Sequence, residues 1–167
     1  MNQSCNKIII IGDAGRGKST LAEKLSKKLE IKNYSTDDFY YEVKFTKPRN
    51  SEESLNKISK IFHDDKWIVE GTTQWLLSPG FDSADIIIYL RYNSIFYQWF
   101  SLIRRHFIRG DESIYQTFLL MRHVFYKRYG LSYKKGKPTN VEIIAPYKNK
   151  VIMLSSFKDI DDFVDKI

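Results

Sequence analysis

The apolar run Lys7-Ile8-Ile9-Ile10-Ile11 leads directly into Gly12-Asp13-Ala14-Gly15-Arg16-Gly17-Lys18-Ser19, after which the pattern turns helical. This is G-x-x-x-x-G-K-[ST] between a strand and a helix, the context in which that spacing has a physical purpose. Glycines let the backbone curl so that successive N–H groups face one anion, and the helix adds the positive end of its dipole. The plainer alternative is a glycine-rich turn that holds nothing. Read as a phosphate cradle, the loop predicts that Gly12, Asp13, Ala14, Gly15, Arg16, Gly17, Lys18, Ser19 and Thr20 bind ATP. Lys18 then reaches the β- and γ-phosphates, and the Ser19 hydroxyl is a ligand for Mg²⁺.

The rest of the chain alternates strand and helix signals, which calls for βαβ units and a parallel sheet. Lys18 to Glu30 places Leu21, Leu25 and Leu29 on one face of a helix. A short strand around Ile31–Ser35 ends in Thr36-Asp37-Asp38-Phe39-Tyr40, and 44–50 reads as loop. Asn50 with Glu53 marks a helix start continued by Leu55, Ile58 and Phe62. Trp67-Ile68-Val69-Glu70 is a third strand, and Ile86–Leu90 a fourth, apolar enough to be covered on both faces. Two aromatic-rich helices follow over about 94–108 and 113–129, then a short helix from Thr139 to Pro146 and a fifth strand over Lys150–Leu154. Ser156 with Asp159 forms a capping box for a last helix. No linker or repeat interrupts the 167 residues, so residues 1–167 read as one domain.

Charge narrows the classes of partner. The net charge is +7, yet residues 91–137 carry a net +8 and the remainder a net −1, a local excess suited to an anion. One cysteine, Cys5, excludes a disulfide scaffold and any cysteine-pair metal site. The start of the chain has no signal-peptide pattern and no apolar stretch has the length of a membrane span, so the expectation is a cytoplasmic protein with no membrane partner.

Taken together, these motifs resemble the P-loop kinases of the nucleoside and nucleotide kinase superfamily. The loop Gly12-x-x-Gly15-x-Gly17-Lys18-Ser19-Thr20 matches the form common there, and Asp37-Asp38-Phe39-Tyr40 resembles the acidic motif after strand two of uridine kinase-like and nicotinamide riboside kinase-like proteins. Trp67-Ile68-Val69-Glu70-Gly71 is similar to their third strand. The closest overall resemblance is to the bacterial DNA topology modulation protein-like, adenylate kinase-related group, through the order of these motifs and the terminal strand Lys150–Ser156. The resemblance implies a three-layer α/β P-loop NTPase fold: a five-stranded parallel sheet ordered 2-3-1-4-5, helices on both faces, and a basic helical lid over about 94–137. It also implies transfer of the γ-phosphate of ATP to a small, nucleoside- or nucleotide-like acceptor.

Within that implication each residue keeps an alternative. Asp37 would orient the acceptor hydroxyl or take its proton, with Asp38 its rival; either could instead cap a helix. Glu70 would lie near Mg²⁺ or the acceptor, or else form a buried ion pair. An aspartate at the end of the strand Ile86–Leu90 is absent, since Arg91 follows it and Asp85 precedes it, so a second carboxylate for Mg²⁺ is not identified. Arg105 and Arg109, with Arg104 nearby, would close over the phosphates as catalytic lid arginines, against the alternative of a solvated basic face; Arg122 and Arg128 are weaker candidates. Arg49 could meet an acceptor phosphate. Phe96, Tyr97, Trp99, Phe100, Phe107, Phe118, Phe125, Tyr126 and Tyr129 are expected mostly to pack inward, with base stacking the alternative. His63, His106 and His123 show no ligand spacing. A second functional class also remains: a nucleic-acid-associated protein using ATP as a ligand, whose basic, aromatic stretch tracks a phosphate backbone. A nucleotide-binding protein without catalysis is a third reading.

Overall fold

The computed structural model describes residues 5–43, 46–91, 95–109, 114–128 and 138–167. Five parallel strands make the central sheet: β1 (Lys7–Gly12), β2 (Asn33–Ser35), β5 (Trp67–Gly71), β6 (Ile86–Leu90) and β7 (Val151–Leu154), in the order β2-β5-β1-β6-β7. Counted within this sheet, that is the 2-3-1-4-5 order expected. Two short strands, β3 (Tyr41–Val43) and β4 (Lys47–Pro48), form a separate antiparallel pair, so the segment read as loop closes back on the end of strand two as a hairpin. Pro48 did not prevent this, because a proline is tolerated on an edge strand.

The helices are α1 (Lys18–Leu29), α2 (Thr36–Tyr40), α3 (Ser51–Phe62), α4 (Gln74–Leu77), α5 (Ile95–Arg109), α6 (Ile114–Arg128), α7 (Asn140–Ile144) and α8 (Phe157–Lys166). Alternation along each strand divides the core into two layers. Ile8, Ile10, Ile68, Ile86 and Ile88 point to one face, where Leu21 and Leu25 of α1 and Ile160 of α8 cover them. Ile9, Ile11, Val69, Ile87 and Tyr89 point to the other, against Ile58 and Phe62 of α3, Leu76 and Leu77 of α4, and Ile144 of α7. All four isoleucines of β1 are fully buried, which fixes this strand at the centre and sets its loop at the carboxyl edge of the sheet.

Caps set the helix boundaries. Asn50 accepts from the Glu52 amide, so α3 starts where expected, though through Glu52 rather than a box with Glu53. Thr139 and Ser156 form full capping boxes with Glu142 and Asp159 at α7 and α8. The expectation that the aromatic helices pack mostly inward is corrected. Trp99 and Phe125 do pair, and the Trp99 indole N–H donates to the Met121 carbonyl at 3.3 Å. Phe96, Phe100, Phe107 and Phe118 instead lie exposed, as the spacing of α5 and α6 carries apolar residues around more of each helix than one buried face can take. The Tyr97 side chain and residue Tyr129 lie outside the described residues.

Candidate functional site

Gly15 and Gly17 both take positive φ, 73° and 80°, the left-handed region in which a side chain is strained. These two turns let the loop leave β1 and enter α1. Gly17 is the residue before α1 and can supply no side chain, so the first-turn amides of α1 have no side-chain cap, unlike those of α3 and α8. An uncapped helix N-terminus following two left-handed glycines has the geometry that suits an anion. Gly12 serves packing: a Cβ there would stand 2.7 Å from the Leu90 carbonyl of the neighbouring strand.

The side chains of the loop divide into two groups. Lys18 is buried, and its ammonium donates to the Asp13 carbonyl at 3.0 Å. Burial pulls the Lys18 pKa down, while the carboxylates of Glu70, Asp13 and Asp37 pull it back up. Arg16 is buried: its guanidinium pairs with the Asp13 carboxylate at 3.0 Å and donates to the Leu90 carbonyl at 3.5 Å. Thr20 is exposed at the first turn of α1.

Ser19 donates its hydroxyl hydrogen bond to Glu70 Oε1 at 3.0 Å. Glu70 is the penultimate residue of β5, is 6% exposed, and stands in register with Ile10 of β1 and Ser35 of β2. The carboxylate beside the Ser19 hydroxyl thus comes from β5, one neighbour of β1, and not from the end of β6, the other. Asp85 belongs to the opposite end of the sheet, where it accepts from the Asn6 and Lys7 amides at 2.8 and 2.9 Å. A hydroxyl and a carboxylate held together beside a phosphate cradle are hard oxygen donors, the kind Mg²⁺ takes in ones and twos while keeping waters and phosphate oxygens. Among the described residues no cluster of three or more His, Cys, Asp or Glu side chains could hold a metal without such help.

Asp37 and Asp38 separate by position. Both lie in the first turn of α2, which Ser35 caps by accepting from the Asp37 amide at 3.3 Å. The helix cap is thus Ser35, and neither aspartate is needed for it. Asp37 is half-buried and its charge reaches both Lys18 and Tyr41, whereas Asp38 is exposed. Gly71 makes this closeness possible, because a Cβ on it would collide with the side chain of fully buried Thr36. The Thr36 hydroxyl has no hydrogen-bond partner among the described residues.

Arg49 turns away from solvent. Its Nη1 donates to the Phe39 carbonyl at 2.7 Å and the Asp38 carbonyl at 3.3 Å, and its Nε stands 3.2 Å from the Glu53 carboxylate. Arg104 and Arg122 are exposed on α5 and α6, while the side chains of Arg105, Arg109 and Arg128 lie outside the described residues. His63 Nδ1 lies 2.6 Å from the Ser59 carbonyl, a local helix contact; the His106 and His123 side chains are outside the described residues.

One group escaped sequence reasoning. The ring of Tyr40 meets that of Tyr41 edge-on at 4.7 Å and that of Trp75 at 6.2 Å. Trp75 follows the Glu70-Gly71 pair after two threonines and a glutamine, so the aromatic-rich acidic motif and the strand end were both visible. Their meeting was not.

Solved kinases share this architecture. Among similar solved structures, a gluconokinase from Sinorhizobium meliloti 1021 superposes with a TM-score of 0.56 over 99% of this chain and 90% of its own, at 13% identity. A shikimate kinase from Acinetobacter baumannii gives 0.54 over 96% and 89%, at 15% identity. An uncharacterized protein from Eubacterium ventriosum gives 0.57 over 96% and 94%, at 18% identity. The likeness at these identities is one of fold. In sequence, 65 residues are 40% identical to the uncharacterized protein YqaC of Bacillus subtilis (strain 168), a match spanning 38% of this chain and 36% of that one. No family model matches the chain. No helix among the described residues is long and apolar enough to cross a membrane.

Proposed function

We propose that this protein is an ATP-dependent phosphotransferase that moves the γ-phosphoryl group to a hydroxyl of a small, nucleoside- or nucleotide-like acceptor. The observation that carries the reading is the convergence of Lys18, the Ser19–Glu70 pair and Asp37 at the carboxyl edge of three adjacent strands. Phosphoryl transfer needs charge neutralisation and alignment more than covalent chemistry, and these groups supply both. Gly12 to Thr20 hold the triphosphate through loop amides and the α1 dipole, and Lys18 leaves the Asp13 carbonyl for the β- and γ-oxygens. Ser19 and Glu70 would hold Mg²⁺, which when bound neutralises charge on the β- and γ-phosphates. The acceptor oxygen forms its bond to the γ-phosphorus as the bond to the β–γ bridging oxygen breaks; ADP leaves, and Asp37 takes the hydroxyl proton. Arg105 and Arg109 are placed by this reading as lid residues that close over the transferring group, with residues 94–137 as the lid of a single domain. The kinds of acceptor named for the gluconokinase and the shikimate kinase support a small-molecule alcohol here. The narrower likeness to the DNA topology modulation protein-like group rests on motif order alone.

The test is a screen of nucleosides, nucleotides and small alcohols with labelled ATP, alongside Mg·ATP calorimetry. Transfer to one acceptor, lost in Asp37→Asn, with ATP binding lost in Lys18→Ala, is the expected result. Absence of any phosphorylated acceptor, with ATP turnover indifferent to Asp37→Asn, refutes it.

A second reading has its own observation. α5 and α6 contain no acidic residue and present Phe96, Phe100, Phe107, Phe118, Arg104 and Arg122 at the surface. Such a face suits a nucleic acid, stacking on bases and pairing with phosphates. It requires DNA binding that weakens steeply with salt; no binding at low salt removes it.

A further inference from the structure

We infer that Arg16 acts on the phosphate site through Asp13: its guanidinium neutralises the one carboxylate that the cradle carries, and so keeps the loop open to a triphosphate. This rests on the reading of Gly12 to Thr20 as an ATP loop and names the part that two of its side chains play. Asp13 follows directly on β1 and is the only acidic residue from Gly12 to Thr20. A carboxylate at that place opposes an incoming polyanion, and the repulsion is strong wherever water is kept away. A loop that takes polyphosphate there has to cancel the charge.

Arg16 Nη2 stands 3.0 Å from Asp13 Oδ2, while Nη1 donates to the Leu90 carbonyl at 3.5 Å. Leu90 is the last residue of β6 and stands in register with Gly12 at the end of β1. One guanidinium therefore joins the loop to the strand end beside it, and its planar fork suits that double task. Only 5% of the Arg16 side chain is exposed, against 21% for Asp13. Enclosed and engaged on both sides, the guanidinium is a positioning group for Asp13 and not a direct phosphate ligand.

Lys18 shows what the pair controls. Its ammonium donates to the Asp13 carbonyl at 3.0 Å. Burial lowers the Lys18 pKa, the charges of Glu70, Asp13 and Asp37 raise it, and that of Arg16 lowers it. Without the Arg16 charge, the Asp13 carboxylate would draw Lys18 toward itself as well as repel phosphate. Both effects weaken nucleotide binding, and both disappear when Asp13 loses its charge too. An Arg16 that is merely structural, or one that touches phosphate, gains nothing from that second change.

The experiment is calorimetric titration of Mg·ATP into the full chain as wild type, Arg16→Gln, Asp13→Asn and the double variant Asp13→Asn/Arg16→Gln. Melting curves without nucleotide record which of them are folded. Arg16→Gln should weaken Mg·ATP by about tenfold or more, the consequence of leaving one charge of an enclosed pair uncompensated. Asp13→Asn should tighten it, because Arg16 is then an uncompensated cation beside the phosphates. The double variant should return to within about threefold of wild type, and Arg16→Lys, which keeps the charge without the fork, should recover most of the affinity. A double variant outside that limit overturns the inference, as does Arg16→Gln binding as tightly as wild type or Asp13→Asn binding more weakly. Should Arg16→Gln not fold, Asp13→Asn and the double variant still decide by the same limits. No Mg·ATP binding by wild type sinks the ATP reading itself, whereas wild-type binding without the rescue sinks this inference alone.

Discussion

Replacing Gly71 by alanine tests whether the end of β5 and the start of α2 are held together by close contact. The added Cβ falls onto the Thr36 side chain, which is fully buried, so neither solvent nor a free rotamer can take up the displaced volume. Overpacking of this kind costs about 1–3 kcal/mol, and contact with a buried branched side chain near backbone argues for the upper part of that range. Thr36→Ala alone removes a methyl worth about 1 kcal/mol. It also removes a hydroxyl that is buried without a partner, a desolvation cost of similar size, so the single change should be near neutral. In the double variant the two largest overlaps are gone and only the Cβ–Cβ approach of 2.7 Å remains. The pair should then be more stable than the sum of the singles by about 1–2 kcal/mol, within the range for residues in contact. Urea unfolding of the four proteins measures this. Additivity within about 0.5 kcal/mol would refute the claim that Gly71 is required by Thr36. The same cycle has a functional readout, since a strand end pushed away from α2 separates Glu70 from Asp37 and should lower phosphoryl transfer in Gly71→Ala more than in the double variant.

Glu70→Gln keeps the size and one acceptor toward Ser19 but removes the charge. The expected outcome is an unchanged fold by circular dichroism and a Mg²⁺ requirement shifted to about tenfold or more higher concentration, and an unshifted Mg²⁺ titration would count against the Ser19–Glu70 assignment. Asp37→Asn should lower kcat by about 10²–10⁴ with little change in ATP affinity, while the same change at exposed Asp38 should leave kcat within a few-fold; equal effects would remove the distinction between them. Asp159 accepts from the Ser155 and Ser156 amides, and these bonds hold its carboxyl below the usual aspartate pKa. A lowered folded pKa stabilises the protein above the pH where a free aspartate titrates, and this contribution is lost as acid carries pH down through the folded value. Thermal melts from neutral to acid pH should therefore converge for wild type and Asp159→Asn at the acid end, and a constant gap would refute it.

The cradle for phosphate was readable in the chain because its determinants are local. Two glycines in left-handed turns, a strand before them and a helix after them lie within adjacent residues, and no distant contact is needed to shape them. The helix starts at Asn50 and Ser156 were legible for the same reason, being set by nearby hydrogen bonds, whereas the strand order followed from the family resemblance and not from any local signal. Only packing could decide the rest. The partner of Ser19 lies 51 residues away, and it is the parallel register of β5 against β1, not any motif, that brings Glu70 to it. Asp37 and Asp38 are equivalent in composition and differ only in which side of α2 meets Lys18. Likewise the aromatic residues of α5 and α6 obey a helical spacing that does not say how much of each surface the core can cover. Local sequence settles backbone shape because it acts through bonded neighbours; which carboxylates and rings meet across strands depends on how a whole sheet closes.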